Sequence, residues 1–93
     1  MLYKIKPFQK YLARQLGVEV KPSTKGCYKM DVFDKEGTYI TSIGDKRYPD
    51  YMSYVENVGY DYAERKKELY WKRHKKDNVE GTRGFYALRI LWT

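Results

Sequence analysis

The residues of this chain that could carry covalent or metal chemistry stand apart from one another. Cys27 is the only cysteine and His74 the only histidine. A single thiol makes no intramolecular disulfide and no Cys-rich zinc site, and one imidazole makes no His cluster. Asp45, after Gly44, is a candidate acid or metal ligand, but we expect it to cap the backbone of the turn that follows. No nucleophile, base and oxyanion donors are set together, so we predict no enzymatic activity, no metal and no cofactor.

These isolated groups have structural interpretations instead. We expect Cys27 to be a small packed residue at the start of a strand. His74 is expected to be hydrogen-bonded where a helix passes into a loop. Arg73 and Asp77, four residues apart, are expected to form a partly buried ion pair, which specifies geometry more than it stabilises.

Electrostatic binding is the chemistry that the sequence does offer. Segment 65–76 holds seven Lys or Arg residues against one acid, Glu68. The segment is either a surface for phosphate or an acidic protein, or a solvated helix face. Tyr70 and Trp71, interleaved with the cations, are able to stack on bases. The patch predicted for this contact comprises Arg65, Lys66, Lys67, Lys72, Lys75 and Lys76.

Length and composition bound the classes of protein. The chain has 93 residues and a formal net charge of +7, with 42% hydrophobic and 17% aromatic residues. This excludes two enzymatic domains, a membrane-spanning chain and a disordered basic tail. The first residues form no apolar signal segment, and the longest apolar stretch, 85–92, is too short to span a bilayer. We therefore expect a reducing, cytoplasm-like compartment during folding.

Residues 1–26 are predicted to form a basic N-terminal arm with a short helix from Pro7 to Gly17. Proline suits the first position of a helix, and glycine suits its left-handed end. A helix of this length is marginal alone, so its apolar face must dock on the protein's own core or on a partner. The face predicted to bind is Phe8, Tyr11, Leu12 and Leu16.

Residues 27–93 are predicted to form one compact domain that begins with a β-hairpin. Apolar and polar residues alternate after Cys27, and a second β-rich run, 38–43, follows the turn 34–37. A short strand is expected at Val18–Lys21, ended by Pro22. Segment 52–58 fits either a short helix or an irregular loop.

The clearest predicted helix is Asp61–Lys76, with Asp61 as its N-cap and Glu64 reaching back to it. Trp71 points away from the predicted apolar face, so either segment 85–92 or a partner must cover it. The residues placed on that face are Tyr62, Ala63, Lys66, Leu69, Tyr70, Arg73, His74 and Asp77.

The last segment, Arg83–Trp92, fits a helix face and a strand face equally well, and we favour a helix capped by Thr82. The predicted fold class is therefore α+β. A small hairpin or sheet packs on one main helix and a short C-terminal helix, and the basic arm precedes them.

Three strings of the sequence resemble a family of small uncharacterised proteins of large DNA viruses and phages. The family's motifs are G-D-x-x-Y, R-x-x-Y-x-x-R-H and a terminal G-F-[WY]-x-x-x-[LI]-L-W. The resemblance spans residues 28–92, and Lys67 stands where the family has the leading Arg of the second motif. The matching residues are Gly44, Asp45, Tyr48, Tyr70, Arg73, His74, Phe85 and Trp92, to which the resemblance assigns structural roles.

The resemblance implies a non-enzymatic structural protein of a virion, such as a minor capsid or cement protein. Its partners would be other virion proteins, above all the major capsid protein, with several copies per particle. It would reside in the host cytoplasm before assembly. Two alternatives stay open: a small basic nucleic-acid-binding protein, and a viral inhibitor of a host factor.

Overall fold

The computed structural model describes residues 2–93, whose contacts divide the chain into two units, Met1–Tyr48 and Pro49–Thr93. The first unit carries a sheet and one helix, and the second is helical. The predicted α+β class is confirmed. We predicted a boundary between an arm, 1–26, and a domain, 27–93. In the structure both regular elements of the arm belong to the same unit as the hairpin, because the arm's strand pairs with it.

Helix α1 spans Pro7–Gln15; it begins at Pro7 as predicted and ends two residues before the predicted Gly17. Pro7 is its first residue, and Gly17 follows its end with φ +76°. The buried side of the helix differs from the prediction. Gln9 and Ala13 are the buried residues, whereas Phe8 and Tyr11 are exposed.

Gln9 is buried because both ends of its amide have partners. Its Oε1 accepts from the Lys6 N–H at 2.9 Å, and its Nε2 donates to the Tyr3 hydroxyl at 2.9 Å. A buried polar group is tolerated when its hydrogen bonds are made. Helical periodicity of apolar residues cannot predict such a position.

Three antiparallel strands form the sheet, in the order β1-β2-β3. They span Glu19–Pro22, Tyr28–Phe33 and Tyr39–Asp45. Pro22 lies within β1 rather than beyond it, a position allowed on an edge strand. The register shifts after Val32, which pairs with Thr41, while Phe33 pairs with Tyr39.

The turn between β2 and β3 follows the predicted chemistry. The Asp34 Oδ1 accepts from the N–H groups of Glu36 and Thr38, at 3.0 and 2.9 Å. Gly37 adopts φ +86°, which an L residue rarely takes. Local side-chain bonding by Asp and a left-handed glycine together close the hairpin.

In the second unit, segment 52–58 proves to be a helix rather than a loop. Helix α2 spans Tyr51–Asn57 and is capped by the buried Asp50, which accepts from the Ser53 N–H at 3.0 Å. Helix α3 spans Tyr60–Arg73. Its N-cap is Gly59, so the prediction of Asp61 as the cap was wrong.

The C-terminal segment is helical, as we favoured. Helix α4 spans Arg83–Tyr86, and the Thr82 hydroxyl accepts from the Phe85 N–H at 3.4 Å. The chain continues as a π-helix, Ala87–Leu91, and most of its residues are buried. A single-turn 3₁₀ helix, Lys75–Asp77, lies between α3 and α4. Within residues 2–93 no helix has the length and apolar character that crossing a bilayer requires.

Candidate functional site

The cations predicted as one basic patch fall into two groups in the structure. Lys66 and Lys67 are half-buried against tyrosine rings of the second unit. The Lys67 Nζ also lies 3.3 Å from the Glu64 Oε2. These two lysines therefore support the packing of α3. The remaining patch residues, Arg65, Lys72, Lys75 and Lys76, are exposed.

The exposed cations concentrate where α3 ends. Lys72 and Arg73 belong to the last turn of α3, and Lys75 and Lys76 to the 3₁₀ turn that follows. All four are exposed, and none forms an ion pair with a carboxylate of the described chain. Positive charge at this end complements the partial negative charge of the helix carbonyls. We call these four residues the α3-end cations.

Arg73 lacks the partner predicted for it. Asp77 instead contacts His74, whose Nδ1 lies 3.0 Å from the Asp77 Oδ2. His74 is the C-cap residue of α3, so the predicted hydrogen-bonded histidine at this junction is confirmed. The predicted Arg73–Asp77 pair is not formed: the Asp77 carboxylate contacts His74, and Arg73 is exposed.

A ladder of aromatic rings fixes the position of α3. Tyr70 lies between two rings: the His74 imidazole at 4.2 Å and the Trp92 indole at 4.3 Å between centroids. The Tyr70 and Trp92 rings are 9° from parallel. The Trp92 ring also contacts Tyr54, with centroids 6.1 Å apart, and the Tyr54 ring contacts Tyr62, with centroids 5.6 Å apart. Because both Tyr70 faces are occupied, this ring is not available to stack on a base.

Trp71 is also engaged by its own chain. Its Nε1 donates to the Trp92 carbonyl oxygen at 2.6 Å, and the Arg89 guanidinium lies 6.0 Å from its ring. The same guanidinium lies 4.7 Å from the Phe85 ring. Of the two predicted alternatives, the C-terminal segment therefore covers part of Trp71, and the prediction that Trp71 binds a partner stays a prediction. The indole stays half-exposed on one side of an open groove formed with α3 residues.

The residues exposed on α3 differ from those predicted to be exposed. Leu69 is 49% exposed and Tyr62 40%, although both were placed on the apolar face. Ala63 is the fully buried residue of the helix, as predicted. The error arose because Tyr70 and Trp71 are both half-buried against Trp92, which lies far along the sequence.

Glu64 joins α2 to α3 instead of capping the helix. It accepts a hydrogen bond from the Tyr51 hydroxyl, which together with Lys67 lowers the pKa of this carboxyl. Burial and the bond to Glu64 raise the pKa of the Tyr51 phenol. Burial likewise raises the pKa of Tyr70. The tyrosines therefore stay neutral across the physiological range and act as hydrogen-bonding and packing groups.

The remaining predicted motif residues lie at the end of the sheet. Gly44 has φ +79° within β3, and Asp45 accepts from the Arg47 N–H at 2.9 Å, which confirms the predicted cap. The Arg47 guanidinium binds the same carboxylate and lowers the pKa of Asp45 to about 2. Tyr48 is exposed, so no packed structural role is seen for it.

The predicted docking face of α1 is only partly exposed. The Phe8 and Tyr11 rings are stacked, with centroids 6.2 Å apart, and are 41% and 48% exposed. Leu12 and Leu16 are half-buried. The two aromatic rings therefore form an outward pair, while the two leucines contribute to the first unit.

Cys27 was wrongly predicted as packed. It is exposed because it lies in the turn before β2, where its carbonyl oxygen accepts from the Lys46 N–H at 2.7 Å. Among residues 2–93 no three His, Cys, Asp or Glu side chains are grouped to hold a metal ion.

A buried polar chain on the sheet was missed by the sequence reasoning. The Ser42 Oγ lies 2.8 Å from the Tyr39 hydroxyl and donates to the Asp31 Oδ1 at 2.6 Å. Asp31 is only 7% exposed, although alternation along β2 placed it in solvent. Asp31 pairs directly with Ser42 across the strands, a polar cross-strand pair that the hairpin register would have revealed.

Comparison of the chain with protein-family models, with curated proteins and with solved structures found no match.

Proposed function

We propose that this protein is a non-enzymatic binding protein whose α3-end cations contact the phosphate backbone of nucleic acid. The observation that carries the proposal is the set itself: four adjacent exposed cations with no carboxylate partner in the described chain. When unpaired surface cations neutralise phosphates, the counterions condensed on the nucleic acid are released. This release supplies affinity without sequence preference.

The geometry also limits the mode of binding. Tyr70 is enclosed by His74 and Trp92, so its ring does not offer a face for a base to stack on. We therefore assign the contact to the phosphate backbone, which the exposed cations can reach. The acids Asp61 and Glu68 lie earlier on α3, so the positive surface is confined to the end of the helix.

The test measures binding to a short DNA duplex as a function of salt. The fourfold variant Lys72→Gln, Arg73→Gln, Lys75→Gln, Lys76→Gln should flatten the slope of log K against log salt by up to about 3.6. A matched variant removes the same charge from the first unit: Lys4→Gln, Lys10→Gln, Arg14→Gln, Lys21→Gln. It should change the slope less. No binding by the wild-type chain at low salt, or equal slopes for the two variants, would refute the proposal.

A second candidate is a structural protein of a virion, such as a minor capsid or cement protein that contacts capsid subunits. The resemblance to the viral family motivates it, and the outward Phe8–Tyr11 pair supports it as a surface for protein contact. Mass spectrometry of purified virions tests this candidate. Its absence from particles of a virus that encodes it would exclude a virion role.

A further inference from the structure

Strand β1 is an edge strand with an open side. Its sheet neighbour is β2, and the Ser23 N–H donates to the Lys29 carbonyl oxygen just beyond the last pair. In an antiparallel pair the backbone groups of alternate residues face the partner strand. The backbone N–H and C=O groups of Glu19 and Lys21 therefore face β2, and those of Val20 face the open side. Pro22 offers a carbonyl there but no N–H.

The open side of β1 borders a groove. A cavity of about 550 Å³ is lined by β1, by Lys10 of α1 and by the N-terminal segment 3–5. A second, smaller cavity shares Lys10 and Val20 with it and extends to Arg14 and Val18. The two cavities adjoin at Lys10 and Val20, and we call them together the β1-edge groove.

The walls of the β1-edge groove are cationic, and its floor is apolar. Lys4, Lys10, Arg14 and Lys21 line it and are exposed. Glu19 is the one acid among the lining residues, and these cations have no ion pair in the described chain. Ile5 and Val20 are half-buried and supply apolar surface.

We propose that the β1-edge groove binds an extended acidic segment of a partner protein, which adds to the sheet as a strand beside β1. Strand addition satisfies the open N–H and C=O of Val20, which an edge otherwise leaves to water. Acidic side chains of the added strand meet the lysine and arginine walls. Apolar side chains, alternating with them, point to the floor.

A peptide fits this groove better than a nucleic acid does. An extended peptide presents N–H donors and C=O acceptors at the spacing of a strand edge, whereas the phosphate groups of a nucleic acid present acceptors alone. The aromatic wall residue, Tyr3, is held by the hydrogen bond from Gln9, and the Lys29 Nζ lies 5.3 Å from its ring centroid. The groove therefore lacks a free ring for a base to stack on.

The probe for the test is a synthetic peptide of alternating Glu and Val, about seven residues long, as is usual for a strand. Binding to the full chain is measured by fluorescence anisotropy. Amide hydrogen exchange is followed by NMR on the same complex. We expect the Val20 amide to become protected on binding, while the Lys21 amide, already paired with β2, changes little.

Two test variants, each with a control variant, and a pair of N-methylated peptides separate strand addition from general charge attraction. Val20→Pro removes the outward N–H and is tolerated at an edge, so affinity should fall about fivefold while the fold is kept. Val20→Ala controls for the lost side chain.

Lys10→Gln with Arg14→Gln should weaken binding several-fold. Lys35→Gln with Lys46→Gln removes equal charge outside the groove and should not weaken it. Two peptides are N-methylated on alternate residues, one on the odd and one on the even positions. Only the peptide whose free N–H groups face β1 should bind.

Several outcomes would overturn the proposal. These are no protection of the Val20 amide, equal losses for the two double-charge variants, or equal binding of the two N-methylated peptides. A single-stranded oligonucleotide that binds more tightly than the peptide and loses affinity in Lys10→Gln with Arg14→Gln would assign the groove to nucleic acid instead. The α3-end variant serves as a further control, because its charges lie outside this groove.

Discussion

The indole N–H of Trp71 donates to the main-chain carbonyl oxygen of Trp92 at 2.6 Å. This bond joins the last turn of α3 to the end of the C-terminal segment, across 21 residues. It also closes the aromatic ladder, because it holds the Trp92 ring over Tyr70.

Trp71→Phe should destabilise the protein by about 1 kcal/mol. The phenyl ring keeps the apolar packing but cannot donate, so the partly buried Trp92 carbonyl loses its partner. Chemical denaturation followed by far-UV circular dichroism measures the effect. Phe85→Leu, which keeps apolar bulk beside Arg89 and removes no donor, is the control and should have a smaller effect. Unchanged stability in Trp71→Phe would show that water replaces the bond at no cost.

Gly84→Ala should destabilise, although alanine normally stabilises a helix over glycine by about 1 kcal/mol. A Cβ at this position in α4 would lie 2.6 Å from both the Cβ and the carbonyl oxygen of Asp77. Backbone atoms cannot yield as a flexible side chain does, so we expect a loss of about 1–3 kcal/mol. The melting temperature, compared with that of wild type, checks the sign. A more stable Gly84→Ala variant would mean that 77 and 84 do not approach closely.

Ser42→Ala should cost about 1–3 kcal/mol, because it removes the donor to the buried Asp31 carboxylate. Urea denaturation of the single variants and of Asp31→Asn with Ser42→Ala measures their coupling. In the Asp31→Asn background the loss should be smaller, since a neutral amide is less costly to leave unpaired. Thr38→Ala, in the exposed turn, is the control and should stay within about 0.5 kcal/mol. Additive losses would contradict the bond.

Glu64 should contribute to the dependence of stability on acid. Its pKa is lowered in the folded state by the Tyr51 hydroxyl and by Lys67. A lowered folded pKa gives stability that is fully present above the usual carboxyl pKa of about 4.3 and is lost as pH falls through the folded value. The stability difference between wild type and Glu64→Gln should therefore shrink with falling pH, as measured by urea midpoints. Glu80→Gln, in an exposed loop, provides the control, and parallel pH curves for wild type and Glu64→Gln would contradict the bond.

Asp45 should titrate at a pH of about 2, which NMR of its side-chain carboxyl can follow. Arg47→Gln should move the midpoint upward, since the guanidinium bond is the largest cause of the lowered pKa. The shift should be incomplete because the Arg47 backbone N–H remains a donor. Lys46→Gln removes a neighbouring charge without a bond to Asp45 and should shift the midpoint less. An unchanged midpoint in Arg47→Gln would place the cause in the backbone.

Local chemistry in the sequence predicted several ends of elements, although not those of α3. Pro7 and Gly17 bound α1, Gly37 forms the hairpin turn, and Thr82 caps α4. Each of these depends on a few neighbouring residues, whose conformational preferences are strong. The exposed Lys72, Lys75 and Lys76 were equally accessible to prediction, because long cations rarely lie inside a fold.

Side-chain faces were predicted less well, because distant residues determine them. The orientation of α3 depends on the contacts of Tyr70 and Trp71 with Trp92. Burial of Asp31 depends on its partner Ser42 in another strand, and burial of Gln9 on Tyr3. The β1-edge groove needs the strand order and the position of α1, which no periodicity in one segment contains.

The aromatic ladder has a spectroscopic consequence. Both tryptophans of the chain, Trp71 and Trp92, lie in the unit Pro49–Thr93, and none lies in the unit Met1–Tyr48. Emission excited selectively through indole therefore reports the helical unit alone, whereas far-UV ellipticity reports both units. Denaturation followed by both signals assigns each transition to its unit without added labels, and a difference in midpoint measures how independently the two units unfold.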